Sequence, residues 1–584
     1  MKVIKKLLLI LLGAQFSLPA IAFNYTNEGV TLTYTVLDEE AKTVSVQYSS
    51  NTITSAPIPA VAIDGETEYT VVKIADSGFS RCTKITTVTI PETVTSIGNS
   101  AFSGCTRLAN ITIPESVTSI GNSAFSSCSY LRSCRIPDSV TEANFGTSVF
   151  SGSGITSVTP DFFPDNFTSP GTDTFKNCTS LTKVELPDNM TIVKGFSSCS
   201  ALTTVILPPS ITTIADEAFQ FCSKLSSVNI PEGVTYIGTY AFYRCIFQQI
   251  SIPESVTYLG ANAFNGTSLT SVVIPNSITD IKNAFSSCAK LKSITLPTGI
   301  KEIAAEAFSS CSALTEIVLP PSVTTIGANA FYNCKALKNV YMGPNIKSMD
   351  QNAFYLVTLS NLYITAQTPP SVYSQFNTDV HLHVQGEETL KEYTKETIPD
   401  PSGGTLYNQW RYYTNISTMI VPTEIKISKE EASSAPMRII DNPYSSADHI
   451  YGQPGDTFIR MATLIPEDSP MQQTFWSSSD PSKVAVNNAG AISIKEYPEI
   501  NNPVTLSVET LYSDGPTAKV TIENYLMTDV NSIPSDSENV GSDTSAQTQI
   551  YTIGGLPVGN SLNGLTSGIY IVKQGNKVVK LNIR

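Results

Sequence analysis

The chain has 584 residues, enough for about three or four domains at roughly 100–200 residues each. Only 15 % of the residues are charged and only three are histidines, which leaves little material for acid–base or metal chemistry. The net charge of −14 becomes about −17 once the three lysines of the leader are removed, and an acidic surface repels phosphate backbones, which excludes nucleic acid as a natural partner.

Residues 1–22 read as an export signal. Lys2, Lys5 and Lys6 form the positive end, Leu7 to Leu12 the apolar core, and Ala20-Ile21-Ala22 the small-x-small cleavage site. The apolar run is too short to cross a bilayer, and no later segment offers 18 uninterrupted apolar residues. The chain is therefore expected to be exported without a transmembrane segment, to the cell surface (outer membrane-associated) or the medium. Residues 23–78 alternate, as in Val30-Thr31-Leu32-Thr33-Tyr34-Thr35-Val36, and predict a β cap over the first turn of a repeat that begins at Phe79.

From Phe79 a unit of 23 residues repeats. Phe79, Phe102 and Phe125 are one period apart, each followed three residues later by Cys82, Cys105 and Cys128. With small insertions and deletions the series runs on through Phe150, Phe175, Phe196, Phe219, Phe242, Phe264, Phe285, Phe308, Phe331 and Phe354. Leu-x-x-Leu-x-Leu spacing, carried in one copy by Leu108, Ile111 and Ile113, is the sign of a leucine-rich solenoid. Ile111 and Ile113 share one strand face, while Asn110 and Thr112 take the other. Pro114 ends the strand, and Val117 and Ile120 turn back inward. No coil buries its apolar residues alone, so residues 79–365 predict about thirteen stacked coils.

Ten of the eleven cysteines fall on one ladder position of this repeat, and Cys134 takes a strand site. Equivalent side chains of stacked coils run parallel, whereas a disulfide needs converging Cβ atoms. Buried free thiols are expected, although an exported protein would ordinarily suggest disulfides. The Phe-x-x-Cys-x-x-Leu-x-x-Val-x-Ile-Pro-x-x-Val-x-x-Ile-Gly unit resembles the BspA-like leucine-rich repeat of bacterial surface proteins. That resemblance implies a surface antigen or adhesin whose partner is a host matrix or plasma protein, or another bacterial surface protein.

After the repeat, Thr368-Pro369-Pro370 breaks the pattern, and residues 366–420, with Trp410 and Tyr412, predict a closing cap. Short alternating strands through 421–526 predict a β-sandwich. Trp476-x-Ser478-x-Asp480-Pro481, followed by Val484-Ala485-Val486 and Gly490, resembles the bacterial immunoglobulin-like domain of invasin- and intimin-type proteins, with an insert at 436–456 departing from a compact version. Residues 527–547 are polar and acidic and read as a linker. The hairpin-rich 548–584 resembles the C-terminal sorting domain of the type IX secretion system, or else is a small retained β-module. The fold class is thus mainly β throughout.

No nucleophile-elbow, zinc-protease or phosphate-loop motif occurs. His381 and His383 share a strand face but lack further ligands at zinc spacing, and His449 beside Asp448 has no nucleophile pattern near it. No catalytic, cofactor or metal residues are assigned, and a non-enzymatic protein is expected. The candidate binding face is the outward strand row Thr89, Thr112, Arg135, Glu185, Asn229, Ser251, Thr295, Tyr341 and Tyr363, with apolar Ile206, Val273 and Val318 among them. A hydroxyl-rich row of this kind suits adhesion or recognition of a macromolecule. The alternatives are glycan capture for nutrient uptake, although the row is short of Trp, and a structural role in a surface layer or fimbria.

Overall fold

The computed structural model describes residues 21–372 and 379–399 continuously, most of 405–523, and the strands within 548–583. Nearly all of the export signal, all of the 527–547 linker and most of the 436–456 insert lie outside the described residues. The chain is mainly β, a solenoid of about 15 turns, and divides into two compact units. The first comprises residues 1–271, 281–291 and 307–312, the second 272–280, 292–306 and 313–584.

The first unit opens on Ala22–Asn27, Val30–Asp38 and Thr43–Tyr48, paired antiparallel in sequence. Thr67–Ile74 then pairs in parallel both with Thr43–Tyr48 and with Ser96–Ile97 of the first coils. Ser55–Pro57 likewise pairs in parallel with Thr87–Thr89. The N-terminal segment is thus hydrogen-bonded into the ladder rather than laid over it, with Ala22–Asn27 as the outer edge strand of the sheet.

Within a coil three lines of contact run along the stack. The first is the strand row anticipated from Leu-x-x-Ile-x-Ile, seen where Ser157–Val158, Lys183–Glu185 and Thr204–Ile206 pair in parallel with Val158, Val184 and Val205 inward. At 110–113 and 133–136 the chain keeps the same in–out alternation without forming a regular strand. The second line is a set of two-residue strands, Ile192–Val193, Thr213–Ile214, Tyr236–Ile237 and Tyr258–Leu259, again parallel. Periodicity does not reveal strands this short. A glycine follows some of them: a Cβ on Gly238, after Tyr236–Ile237, would lie 2.4 Å from the Asp216 nitrogen, and one on Gly121, after the similar strand Ser119–Ile120, 2.5 Å from that of Asn99. Only glycine lets the coils approach so closely.

The third line is the Phe–Cys edge. From Phe79 to Phe308, successive rings of the phenylalanine ladder stack at 5.3–6.5 Å, within 16° of parallel. All eleven cysteines are free and buried. Eight of the ladder thiols donate to the phenylalanine carbonyl of the preceding ladder coil, as with Cys105 to Phe79 O at 3.0 Å and Cys222 to Phe196 O at 3.2 Å. Two coils carry Ser153 and Thr267 at this position, whose hydroxyls contact Cys178 Sγ and Cys288 Sγ at 3.4 and 3.3 Å. A small buried group able to donate a hydrogen bond is what the site requires. Burial pushes the Cys128 and Cys222 thiols up to about 12, and a thiol that resists ionisation resists oxidation and exchange.

In the second unit Glu316–Val318, Asn339–Met342, Asn361–Ile364, His381–Val384 and Ile416–Thr418 form one parallel five-stranded row. The last two strands come from 366–420. That segment therefore continues the coil ladder and also ends it, since Ile416–Thr418 is the last strand of the row, and the solenoid has about 15 turns where thirteen were expected. The Thr-Pro-Pro break hid this, because helix Gly386–Thr394 and the turn Gln409–Tyr412 replace the repeat's usual return. Trp410 Nε1 donates to Pro370 O at 2.8 Å and the Tyr393 hydroxyl to Ala366 O at 3.1 Å, fastening both inserts.

Beyond it, two four-stranded sheets share one apolar core. One holds Glu424–Lys429, Thr457–Ile465, Ala491–Ile494 and Val484–Val486; the other holds His449–Tyr451, Ala518–Glu523, Val504–Glu509 and Phe475–Ser478. Trp476, Val486, Ile492, Leu506 and Val520 pack between them, making a β-sandwich module. His449 lies on a strand of this module. The strands Thr548–Thr552, Pro557–Gly559, Gly568–Gln574 and Lys577–Ile583 form one further antiparallel sheet.

Candidate functional site

Six of the nine outward row residues belong to the first unit. Thr89 lies at the end of the strand paired with Ser55–Pro57, where its carbonyl also accepts from the Ile58 nitrogen. Thr112, Arg135, Asn229 and Ser251 are exposed, and Glu185 is half-buried with its carboxylate 2.6 Å from Lys183 Nζ. The neighbouring Ile206 is 45 % exposed, so this part of the row is an open face.

Thr112 and Arg135 come together in a groove of about 610 Å³. Its floor is apolar, from Ile111, Ile113 and Phe162, and its rim carries the carboxylates of Glu92, Glu115 and Asp161. Arg135 is held by two of the coil carboxylates: Nη1 donates to Glu115 Oε1 at 2.6 Å and Nη2 to Asp138 Oδ1 at 2.7 Å. Those two bonds raise the guanidinium pKa further. Neither Glu92 nor Asp161 has an ion-pair partner among the described residues, so the groove keeps an excess of negative charge.

The rest of the row sits differently. Thr295 is half-buried, and Tyr341 and Tyr363 stack on one another at 4.6 Å. Together with Val318 they pack against Met419, Phe475, Leu511 and Tyr512, the last three from the sandwich module. Burial, with Tyr363, Glu316 and Tyr512 nearby, pushes the Tyr341 hydroxyl up to about 12. These two tyrosines hold a part of the same chain rather than standing open to a ligand. The column continues to His383, 4.3 Å from the Tyr363 ring. His383 contacts Asn361 Oδ1 through Nε2 and Ser417 Oγ through Nδ1. Both ring nitrogens are thus engaged in the ladder. Burial first, and His381 beside it second, lowers its pKa to about 4.

Side chains of the coils also make polar contacts to the module. Asn276 Nδ2 donates to Trp476 O at 2.9 Å and to Val486 O at 2.7 Å. Its Oδ1 accepts from the nitrogen and hydroxyl of Thr298, so one amide meets its full complement of partners. Thr365 Oγ1 donates to Leu511 O at 2.5 Å. Gly343 stands where other coils have the strand-ending proline, and a Cβ there would lie 3.2 Å from Leu511 Cδ2. Asn276 and Gly343 escape a reading of the sequence as contact residues, although both break the repeat's own rule at their positions.

Stacked short parallel strands with one outward row per coil define a leucine-rich-repeat solenoid. The model of the BspA-type leucine-rich repeat region matches residues 64–161, 144–270 and 258–378, over half the chain, and the protein belongs to that family. Among solved structures it is similar to a leucine-rich repeat protein from Bacteroides ovatus at 28 % identity. That match covers 64 % of this chain and all of the other, with a TM-score of 0.52. A leucine-rich cell surface protein from Faecalibacterium prausnitzii is similar at 27 % identity over 59 % of this chain and 95 % of its own, with a TM-score of 0.40. No curated protein matches the chain. Among the described residues no helix is long and apolar enough to cross a membrane.

Proposed function

We propose that this is a non-enzymatic, exported recognition protein that binds macromolecules, proteins first among them, through the outward strand row of its solenoid. The observation that supports it most directly is internal: the row of the second unit already holds a folded polypeptide, through Val318, Tyr341 and Tyr363 on one side and the Asn276 and Thr365 hydrogen bonds on the other. A row that packs one β-rich surface has the shape and chemistry to pack another. In the first unit the equivalent residues apart from the half-buried Glu185 are exposed, and that is where an external partner would sit. The expected location is the cell surface or the medium, and the partner a host matrix or plasma protein or another bacterial surface protein.

The test is binding of the full mature chain to an array of matrix proteins, plasma proteins and glycans. A chain ended at residue 420 is the wrong probe, because removing the module bares the apolar contacts of Tyr341 and Tyr363 and invites adventitious binding. A saturable protein hit, weakened by changing Thr112 and Asn229 to bulky charged residues, supports the reading. A glycan-only hit favours capture for uptake instead, and silence from a folded chain favours a structural role.

A further inference from the structure

We propose that the groove at Thr112 and Arg135 is a docking site for a basic polypeptide segment, a specialisation that rests on the protein-binding reading. The repeat makes this case, because equivalent positions in different coils have the same place on the solenoid. In the second unit two such positions carry a polypeptide. The outward strand residues Val318, Tyr341 and Tyr363 pack against the module, and Asn276, the residue after the strand-ending proline, donates to two of its carbonyls. In the first unit the same two positions line the groove: Thr112 and Arg135 are outward strand residues, and Glu92 and Glu115 follow the proline.

What changes between the two is the hydrogen-bonding sense. An amide such as Asn276 can donate to carbonyls, so it accepts neutral strands that present their backbone oxygens, here Trp476 O and Val486 O. An ionised carboxylate only accepts. Glu115 already accepts from Arg135 and from the Asp138 nitrogen; Glu92 and Asp161 on the rim therefore call for donors, and the excess of rim carboxylates over the single guanidinium makes those donors cationic. The chain supplies its own example in Arg135, whose guanidinium lies between Glu115 and Asp138. Charge-assisted bonds of that kind are the stronger class. Below them the apolar floor of Ile111, Ile113 and Phe162 receives the aliphatic stems of lysine or arginine.

The experiment measures polarisation of short dye-labelled peptides titrated with the full mature chain. One peptide alternates lysine with serine, one glutamate with serine, and one glycine with serine. Saturable binding is expected for the lysine peptide alone, weakening as salt shortens the screening length below about 8 Å. The double variant Glu92→Gln, Asp161→Asn should weaken it about tenfold or more, a loss of ~1.4 kcal/mol. The control double variant Asp188→Asn, Glu232→Gln removes the same charge outside the groove and should leave binding in place. No saturable binding, or equal losses from both double variants, overturns the groove. A protein partner found on the array that binds Glu92→Gln, Asp161→Asn as tightly as the parent also overturns it, while leaving the protein-binding reading intact. Conversely, peptide binding with a silent array supports the groove and removes the support for a natural protein partner.

Discussion

Eight coils of the first unit have, after the strand-ending proline, Glu92, Glu115, Asp138, Asp165, Asp188, Pro209, Glu232 and Glu254; the second unit has Asn276, Thr298, Pro321 and Pro344 at the same place. Seven carboxylates give way to none. A row of like charges a few ångströms apart is unfavourable in itself and is tolerated where water or an external cation screens it. Where a β-module covers the row, that screening is gone and an unpaired carboxylate would be left desolvated. The neutral residues are therefore the signature of internal docking, and the acidic ones of an edge left in solvent. In the outward strand row the two tyrosines, Tyr341 and Tyr363, both fall in the second unit, while the charged residues, Arg135 and Glu185, fall in the first.

The comparison can be broken most forcefully at Leu511. This side chain is fully buried against the tyrosine row, and Leu511→Ala should cost about 2–4 kcal/mol. Both tryptophans, Trp410 and Trp476, lie in the second unit, so urea unfolding followed by tryptophan fluorescence reads the loss there. Hydrogen exchange should show no change at Thr112 and Arg135. A loss shared by both units would mean that Leu511 acts on the whole solenoid rather than on a local cover.

A sharper probe is Asn276→Asp, which gives the second unit the first unit's chemistry at one atom. The carboxylate keeps the bonds from Thr298 but faces Trp476 O and Val486 O with no proton to offer. We expect a loss of about 2 kcal/mol at neutral pH, with the deficit shrinking under acid conditions as the carboxyl gains a proton. An unchanged midpoint would show that the amide contributes shape alone.

The smallest effect concerns His383, whose folded pKa of about 4 lies below its ordinary 6.5. A base whose pKa is lowered on folding stabilises the folded state fully above pH 6.5. That contribution is lost as pH falls from 6.5 through 4. For a half-buried ring, solvent screening trims it to on the order of 1–2 kcal/mol. Melting temperature against pH should fall across this window in the parent and fall less in His383→Gln, which keeps hydrogen-bonding groups beside Asn361 and Ser417. Equal slopes would place the acid sensitivity elsewhere.

Much of the fold is legible in the sequence because the repeat is redundant. Phe102, Cys105, Leu108, Ile111 and Ile113 recur so often that spacing alone gives inward and outward positions, and the thiols follow from the parallel run of equivalent side chains. The second strand line stays hidden, since Ser119–Ile120 is two residues long and offers no period. The strands His381–Val384 and Ile416–Thr418 resemble a cap in sequence because helix Gly386–Thr394 interrupts their spacing. Of the candidate row, Thr112 and Arg135 are legible as outward residues, but nothing local to them says that they share a groove with Asp161, which comes from an inserted turn.

The sequence by itself therefore determined the solenoid, its apolar interior, its buried thiols and the direction of the residues in its first strand line, since each depends on periodicity within one or two coils. Only the tertiary structure decided which outward residues stay open. Tyr341 and Tyr363 are as outward as Thr112, and they are covered because Leu511 and Tyr512, some 150–170 residues further along, fold onto them. Burial of an outward side chain depends on a partner surface distant in the chain, and no local pattern encodes that partner.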